Sequence, residues 1–276
     1  MDYEQTSIFD ISLPKNEIET VQKVTEQQPN KINFAIIPEE EQKAKPMYKN
    51  IPTIDEILKD MEKGSYKIGR HEFLSDLFRG GAIAISNKFA YREDREQEYL
   101  RIIKKYDKDM QDIFLNVFTK IYLLLTSQTF VGFNDYLGDL YMKSETSNSK
   151  AGQFFTPYSV SKMCAEMTLD EKKISECIEQ DKILTLNEPT CGAGGMILGA
   201  VDVLYNKYNF NYARNLLVIC SDVDTRCVAM TYLQLSLAGV PAIVYHQDTL
   251  TLKTWDVWET PAYIMQYMRF RNVLKK

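Results

Sequence analysis

"NEPTCGAGGM" (187–196) sets three glycines and an alanine in four consecutive positions, directly behind the apolar run "KILTLNE" (182–188). The next stretch, "MILGAVDVLYNKY" (196–208), has the spacing of an amphipathic helix. A strand, a glycine-rich turn and a helix in that order open a βαβ unit, and the turn is the place where backbone and ligand touch. Further strand signals occur at "LLVICSD" (216–222), "AIVYH" (242–246) and "WDVWE" (255–259). Between the second and third strands, "TRCVAMTYLQLSLAG" (225–239) reads as a helix closed by Gly239 at its C-cap. The β-α-β-α-β alternation predicts an α/β fold with a parallel sheet.

Upstream the pattern is helical. In "TIDEILKDMEK" (53–63), Thr53 is an N-cap and Glu56 completes a capping box. The stretch 98–127 repeats apolar residues at spacings of three, four and seven, as a long amphipathic helix with breaks does. Residues 1–50 are rich in Gln, Glu, Lys, Asn and Pro and suit a flexible arm. The expected organisation is an arm over 1–50, a helical domain over 51–150 that leaves through the polar "ETSNSKAGQ" (145–153), and an α/β domain over 151–276.

A net charge of −5 gives no overall drive toward nucleic acid. Five cysteines, odd in number and without CxxC spacing, read as reduced thiols, and two histidines argue against a catalytic zinc. With no long apolar run, the expectation is a cytoplasmic protein without a membrane partner.

The turn lacks the Lys-Ser or Lys-Thr that grips a nucleoside triphosphate, and its spacing does not match GxGxxG. Asp222 ends the second strand, where a carboxylate accepts ribose hydroxyls, and Asp248 comes after the third, placed for an adenine amine. A nucleoside-bearing cofactor is therefore expected.

"GQFFTP" (152–157), "NEPTCGAGGM", "SDVDTRCVAMTYLQLSLAGV" (221–240) and "QDTL" (247–250), with "FNDYLGDLYMKSE" (133–145) upstream, resemble the cofactor half of the N6-adenine DNA methyltransferases that serve as modification subunits of type I restriction-modification systems. The resemblance implies a Rossmann-like class I methyltransferase fold with S-adenosylmethionine as cofactor, preceded by a helical N-terminal domain and truncated after the fourth strand. It places Phe155, Thr156 and Pro157 in the cofactor site, the last two at the methionine end. Glu188, Thr190, Cys191, Gly192, Gly194 and Gly195 form the cradle, Asp222 holds ribose and Asp248 adenine.

The reaction implied is methyl transfer to the exocyclic amine of a flipped adenine. An (N/D)PP(Y/F) tetrad after the fourth strand orients that amine in the family. Here Thr260, Pro261, Ala262 and Tyr263 occupy the place, so Thr260, Pro261 and Tyr263 are the expected catalytic residues, with Glu259 as an alternative carboxylate. The basic, aromatic "YMRFRNVLKK" (267–276) suits a phosphate backbone or stacked bases, a solvated tail being the alternative. DNA and a specificity or other modification subunit are the implied partners, and an oligomer is left open. An adenine-specific DNA methyltransferase is the first expectation; a catalytically silent relative that binds cofactor or partner is the second.

Overall fold

The computed structural model describes residues 51–65, 68–145, 155–271 and 273. The arm over 1–50, almost all of the connection over 145–153, and Lys275 and Lys276 lie outside the described residues.

The first helix, α1 (Ile54–Ser65), begins at the capping box. Thr53 N–H donates to Glu56 Oε2 at 2.8 Å, and Glu56 N–H donates to Thr53 Oγ1 at 3.3 Å. After α2 (Arg70–Phe89), the amphipathic stretch divides into α3 (Glu93–Ile103) and α4 (Lys108–Thr126). The break falls at Asp107, whose carboxylate accepts from Met110 N at 3.0 Å and so starts a new helix. The short α5 (Gln128–Val131) and α6 (Tyr136–Glu145) complete the helical part.

Next come α7 (Tyr158–Thr168) and α8 (Glu171–Glu179), then β1 (Leu184–Glu188), α9 (Gly195–Tyr208), α10 (Tyr212–Asn215), β2 (Leu216–Asp222), α11 (Thr225–Leu237), β3 (Ala242–Asp248) and β4 (Lys253–Glu259). The chain then forms two short helices, α12 (Pro261–Met265) and α13 (Tyr267–Phe270). This is a Rossmann-like α/β unit preceded by helices.

Its sheet runs β1-β2-β3-β4, with β1, β2 and β3 parallel. The fourth strand departs from the expected parallel sheet: β4 is antiparallel to β3. Four residues, 249–252, join the two strands, and a parallel crossover needs a dozen or more. Glu259 therefore pairs with Ile243 at the start of β3, and the chain leaves β4 at the amino ends of the parallel strands.

Alternate residues of each strand serve the two faces. Leu216, Val218, Cys220 and Val244 join the main core with α9 and α11 residues, while Leu217 and Ile243 meet Tyr263 and Phe270 on the other face. The main core also takes in the helical part, running from Ile57 to Trp258. The division expected near residue 150 thus lies between segments that share one apolar interior. No helix among the described residues is long and apolar enough to cross a membrane.

Candidate functional site

At the carboxyl ends of β1 and β2 lies a cleft of about 340 Å³, within the range of small-molecule sites. The glycine turn forms its floor. Cys191 N–H donates to Ser221 O at 2.9 Å, which ties the turn to β2, and Gly194 N–H closes back on Cys191 O at 2.8 Å. Gly192 has φ +55°, and Thr231 of α11 donates its hydroxyl to Gly192 O at 2.8 Å. An added Cβ at Gly192 would stand 3.1 Å from the Phe155 ring, so the backbone is bare where an aromatic side chain covers it.

Asp222 faces this floor. Its Oδ2 accepts from Gly192 N at 2.9 Å and its Oδ1 from Asp224 N at 2.9 Å, so the carboxylate fixes both the turn and the start of α11. Each oxygen retains acceptor capacity for a ligand hydroxyl. Phe155, Thr156, Thr190, Cys191, Gly192, Gly195 and Asp222, all expected in the site, line the cleft together.

Four other expected cofactor residues stand beside or behind it. Pro157 caps α7, and Glu188 accepts from Thr190 N at 3.2 Å, shaping the turn's entry. Gly194, at φ +99°, backs onto Thr231. Asp248 is spent on the β3–β4 loop: its Oδ1 accepts from Leu250 N at 2.9 Å and Thr251 N at 3.3 Å, and the Thr251 side chain, followed by these backbone donors, holds its pKa below the usual carboxylate value.

The expected catalytic residues are not brought to the cleft. Because β4 runs antiparallel, Thr260, Pro261 and Tyr263 lie at the opposite end of the sheet. Thr260 is fully buried, Pro261 occupies the first turn of α12, and Tyr263 is 2% exposed and stacked on Phe270 at 5.9 Å. Thr-Pro here starts a helix, as proline at a first helical position commonly does. Glu259 shares that end. The basic stretch is also partly committed: Arg269 pairs with Asp181 at 2.9 Å and Phe270 is in the core.

Among the cleft residues that sequence reasoning missed are Asp135 and Ser161, besides Met196 and Cys227. Asp135 precedes α6, and its Oδ1 accepts from Gly138 N at 2.9 Å and Gln234 Nε2 at 2.7 Å. Burial pushes its pKa up to about 6, against the pull of the Gln234 and Gly138 hydrogen bonds. Ser161 is fully buried on α7, and its hydroxyl has no hydrogen-bond partner among the described residues. The signals were an acid inside "FNDYLGDLYMKSE" and a serine one helical turn after Pro157.

All five cysteines are free. Burial, more than the nearby Asp222 and Asp224, pushes the Cys227 thiol far up, so it stays protonated beside the cleft. No cluster of metal-ligating side chains occurs among the described residues.

A profile described as N-6 DNA Methylase matches residues 133–273, half of the chain, spanning α6, the cleft and the whole sheet. The chain belongs to the N-6 DNA methylase family. Among solved structures it is similar to a putative class I S-adenosylmethionine-dependent methyltransferase from Listeria monocytogenes, with 16% identity, TM-score 0.37, and 65% of this chain and 55% of that one covered. It is also similar to the type I restriction-modification system methyltransferase subunit from Streptococcus thermophilus, with 15% identity, TM-score 0.35, and coverage of 75% and 59%. The chain thus spans less than two thirds of either structure's length. No curated protein matches it. For an N-6 DNA methylase, the family's profile coincides with the segment that builds the cleft.

Proposed function

We propose that the cleft binds S-adenosylmethionine and that this protein supplies the cofactor-holding part of an adenine-N6 DNA methylation system. The observation that carries the reading is the convergence, in one small-ligand cleft, of the glycine turn, Asp222 and Thr156. A carboxylate at the end of β2 suits ribose hydroxyls, the bare turn suits a ligand laid along the backbone, and the Phe155 ring offers an apolar wall. Bound there, S-adenosylmethionine would supply a methyl group on a sulfonium sulfur.

The described residues hold and orient the cofactor; they do not present the amine-positioning tetrad, because Thr260 and Tyr263 are spent in the core. This favours the second of the two expectations for the chain acting alone. Groups that hold a flipped adenine must then come from outside the described residues, and a specificity or other modification subunit is the partner that fits.

Calorimetric titration with S-adenosylhomocysteine, with Asp222→Ala as control, tests the cofactor site. Binding that is lost in the variant is expected; a protein that binds no adenosyl ligand would end this reading. A second assay measures labelled methyl transfer to unmethylated DNA. Transfer is expected only when partner subunits are added, and turnover by the protein alone would contradict the division of labour.

A further inference from the structure

At the end of the sheet remote from the cleft, where α11 finishes and β4 hands over to α12, lies another cavity, of about 410 Å³. Its walls are mostly apolar and come from four helices: Ile85, Lys88 and Phe89 of α2, Tyr122 of α4, Leu237 of α11 and Pro261 of α12. Phe89 is 47% exposed, so the cavity opens outward as a groove. Lys88, also exposed, is the one charged residue among the described residues of its lining. An apolar groove with a cation at its rim suits an apolar segment that has acids beside it.

The chain carries such a segment. "INFAIIPEEE" (32–41) sets Phe34, Ile36 and Ile37 ahead of Pro38 and three glutamates. It belongs to the arm and lies outside the described residues. The entry of the described chain at Ile51 brings it within reach. Helix α1 runs antiparallel to α4: Asp60 accepts from Lys120 Nζ at 2.6 Å and from Asn116 Nδ2 at 3.0 Å, whereas Gly64, one turn further along α1, backs onto Ile113. The chain therefore enters towards the carboxyl end of α4, the end that carries Tyr122. Thirteen residues, 38–50, separate Ile37 from Ile51 and extend to about 45 Å, roughly four helix diameters. We propose that residues 32–37 dock in this groove, Phe34 and Ile36 against its apolar wall and Glu39, Glu40 and Glu41 beside Lys88. In an extended segment Phe34 and Ile36 share a side, which is what a single wall requires. The docked arm straps the ends of α2, α4 and α11 to α12 and leaves the cleft open, so the inference does not rest on the cofactor reading.

Limited trypsin digestion of the full chain, read by mass spectrometry, tests the docking. Cleavage after Lys31 requires Ile32 to leave the groove, so its rate follows the undocked fraction; cleavage after Lys23 does not and serves as the internal reference. Phe34→Asp should speed the Lys31 cut, relative to the Lys23 cut, by about 10- to 100-fold, the scale of returning one large apolar side chain to water. Phe89→Asp, at an exposed position of the groove, should do the same from the other side. The double variant should add little, because both substitutions remove one contact. A lysine-reactive cross-linker should join Lys43 to Lys88 within one chain, which an equal mixture of isotope-labelled and unlabelled protein distinguishes from a link between chains. Adenosyl-ligand affinity should be the same in all variants.

Three results would overturn the proposal by naming another occupant or another place. Links found only between labelled and unlabelled chains would give the groove to a second copy. A response to Phe9→Asp in place of Phe34→Asp would give it to the arm's other apolar island, "IFDISL" (8–13). Cleavage that responds to Phe34→Asp and not to Phe89→Asp would put the segment elsewhere on the protein. Equal Lys31 rates in the unaltered chain and Phe34→Asp would mean that the arm does not dock at all. Should Phe89→Asp not fold, as circular dichroism reports, Lys88→Glu takes its place. It should speed the Lys31 cut through repulsion of the three glutamates, and adding Glu40→Lys should bring the protection back. A Lys88→Glu protein cut at the unaltered rate, or one that Glu40→Lys does not rescue, would overturn the proposal.

Discussion

Thr260 and Ala242 are locked together at the end of the sheet remote from the cleft. Ala242 N–H donates to Thr260 Oγ1 at 2.9 Å, Thr260 N–H donates to Ala242 O at 3.0 Å, and the Thr260 hydroxyl donates to Val240 O at 2.8 Å. A side chain expected from sequence at a catalytic position is thus the clasp joining the end of β4 to the start of β3.

Thr260→Val keeps the volume and removes both side-chain hydrogen bonds, leaving Ala242 N–H and Val240 O buried without that partner. The expected cost is about 1–3 kcal/mol. Urea denaturation measures it, and adenosyl-ligand affinity should be unchanged. A stable Thr260→Val protein with impaired ligand binding would place Thr260 in the site after all.

The order of elements was readable from the sequence because each has a local cause. The capping box at Thr53, the glycine turn and the left-handed Gly239, one residue past the C-cap Ala238, are all written in consecutive residues. The direction of β4 was legible too, because even the eight residues between the expected strands, 247–254, are too few for a parallel crossover, and the structure shortens them to four. Asp135 lies inside a stretch that carries the family resemblance, but no local pattern sets it apart from Asp139 as a cleft residue. Its place in the cleft comes from packing across 99 positions of sequence, through Gln234.

Gly195 and Asp135 should behave as a coupled pair. Gly195→Ala puts a methyl 2.8 Å from Asp135 Oδ2, and the carboxylate cannot swing away without breaking its bonds from Gly138 and Gln234. Overpacking of this kind costs about 1–3 kcal/mol. Adding Asp135→Ala opens the space, so the double variant should be less unstable than the sum of the singles by about 0.5–3 kcal/mol. Additive losses in denaturant melts at pH 7.5 would show that the two do not touch.

Stability should also depend on pH through Asp135. Its folded pKa, about 6, lies above the ordinary value of 3.8. The folded state therefore holds this proton more tightly than the unfolded state. The contribution is fully present below the unfolded pKa and is lost as pH rises through about 6. At pH 7.5 the ionised, buried carboxylate works against folding by roughly 2–3 kcal/mol. Asp135→Asn keeps an acceptor for Gly138 and Gln234 and should raise the urea midpoint at pH 7.5, with no gain at pH 4. Equal effects at both pH values would remove Asp135 from the account.

The last prediction concerns how the helices and the sheet hold together. Trp258 of β4 is fully buried, with the Tyr232 ring of α11 at 5.1 Å, the Arg95 guanidinium 3.5 Å from its ring centroid and that of Arg79 at 4.7 Å. Arg95, 4% exposed, is itself held by Asp256 at 3.0 Å, Ser86 Oγ at 2.7 Å and Val257 O at 2.7 Å, so α2, α3 and β4 meet at one cation. Trp258→Ala leaves a cavity and strips the aromatic face from a buried guanidinium, with an expected cost of about 3–5 kcal/mol. Because the core is continuous, the unaltered protein should unfold in a single step. The chain has two tryptophans, and Trp255 is 45% exposed, so the environment-sensitive change in fluorescence reports mainly on Trp258. Its urea transition should coincide with the loss of helix measured by far-ultraviolet circular dichroism. Midpoints that separate would mean that the helical part and the sheet fold independently, and that the stack around Trp258 does not couple them.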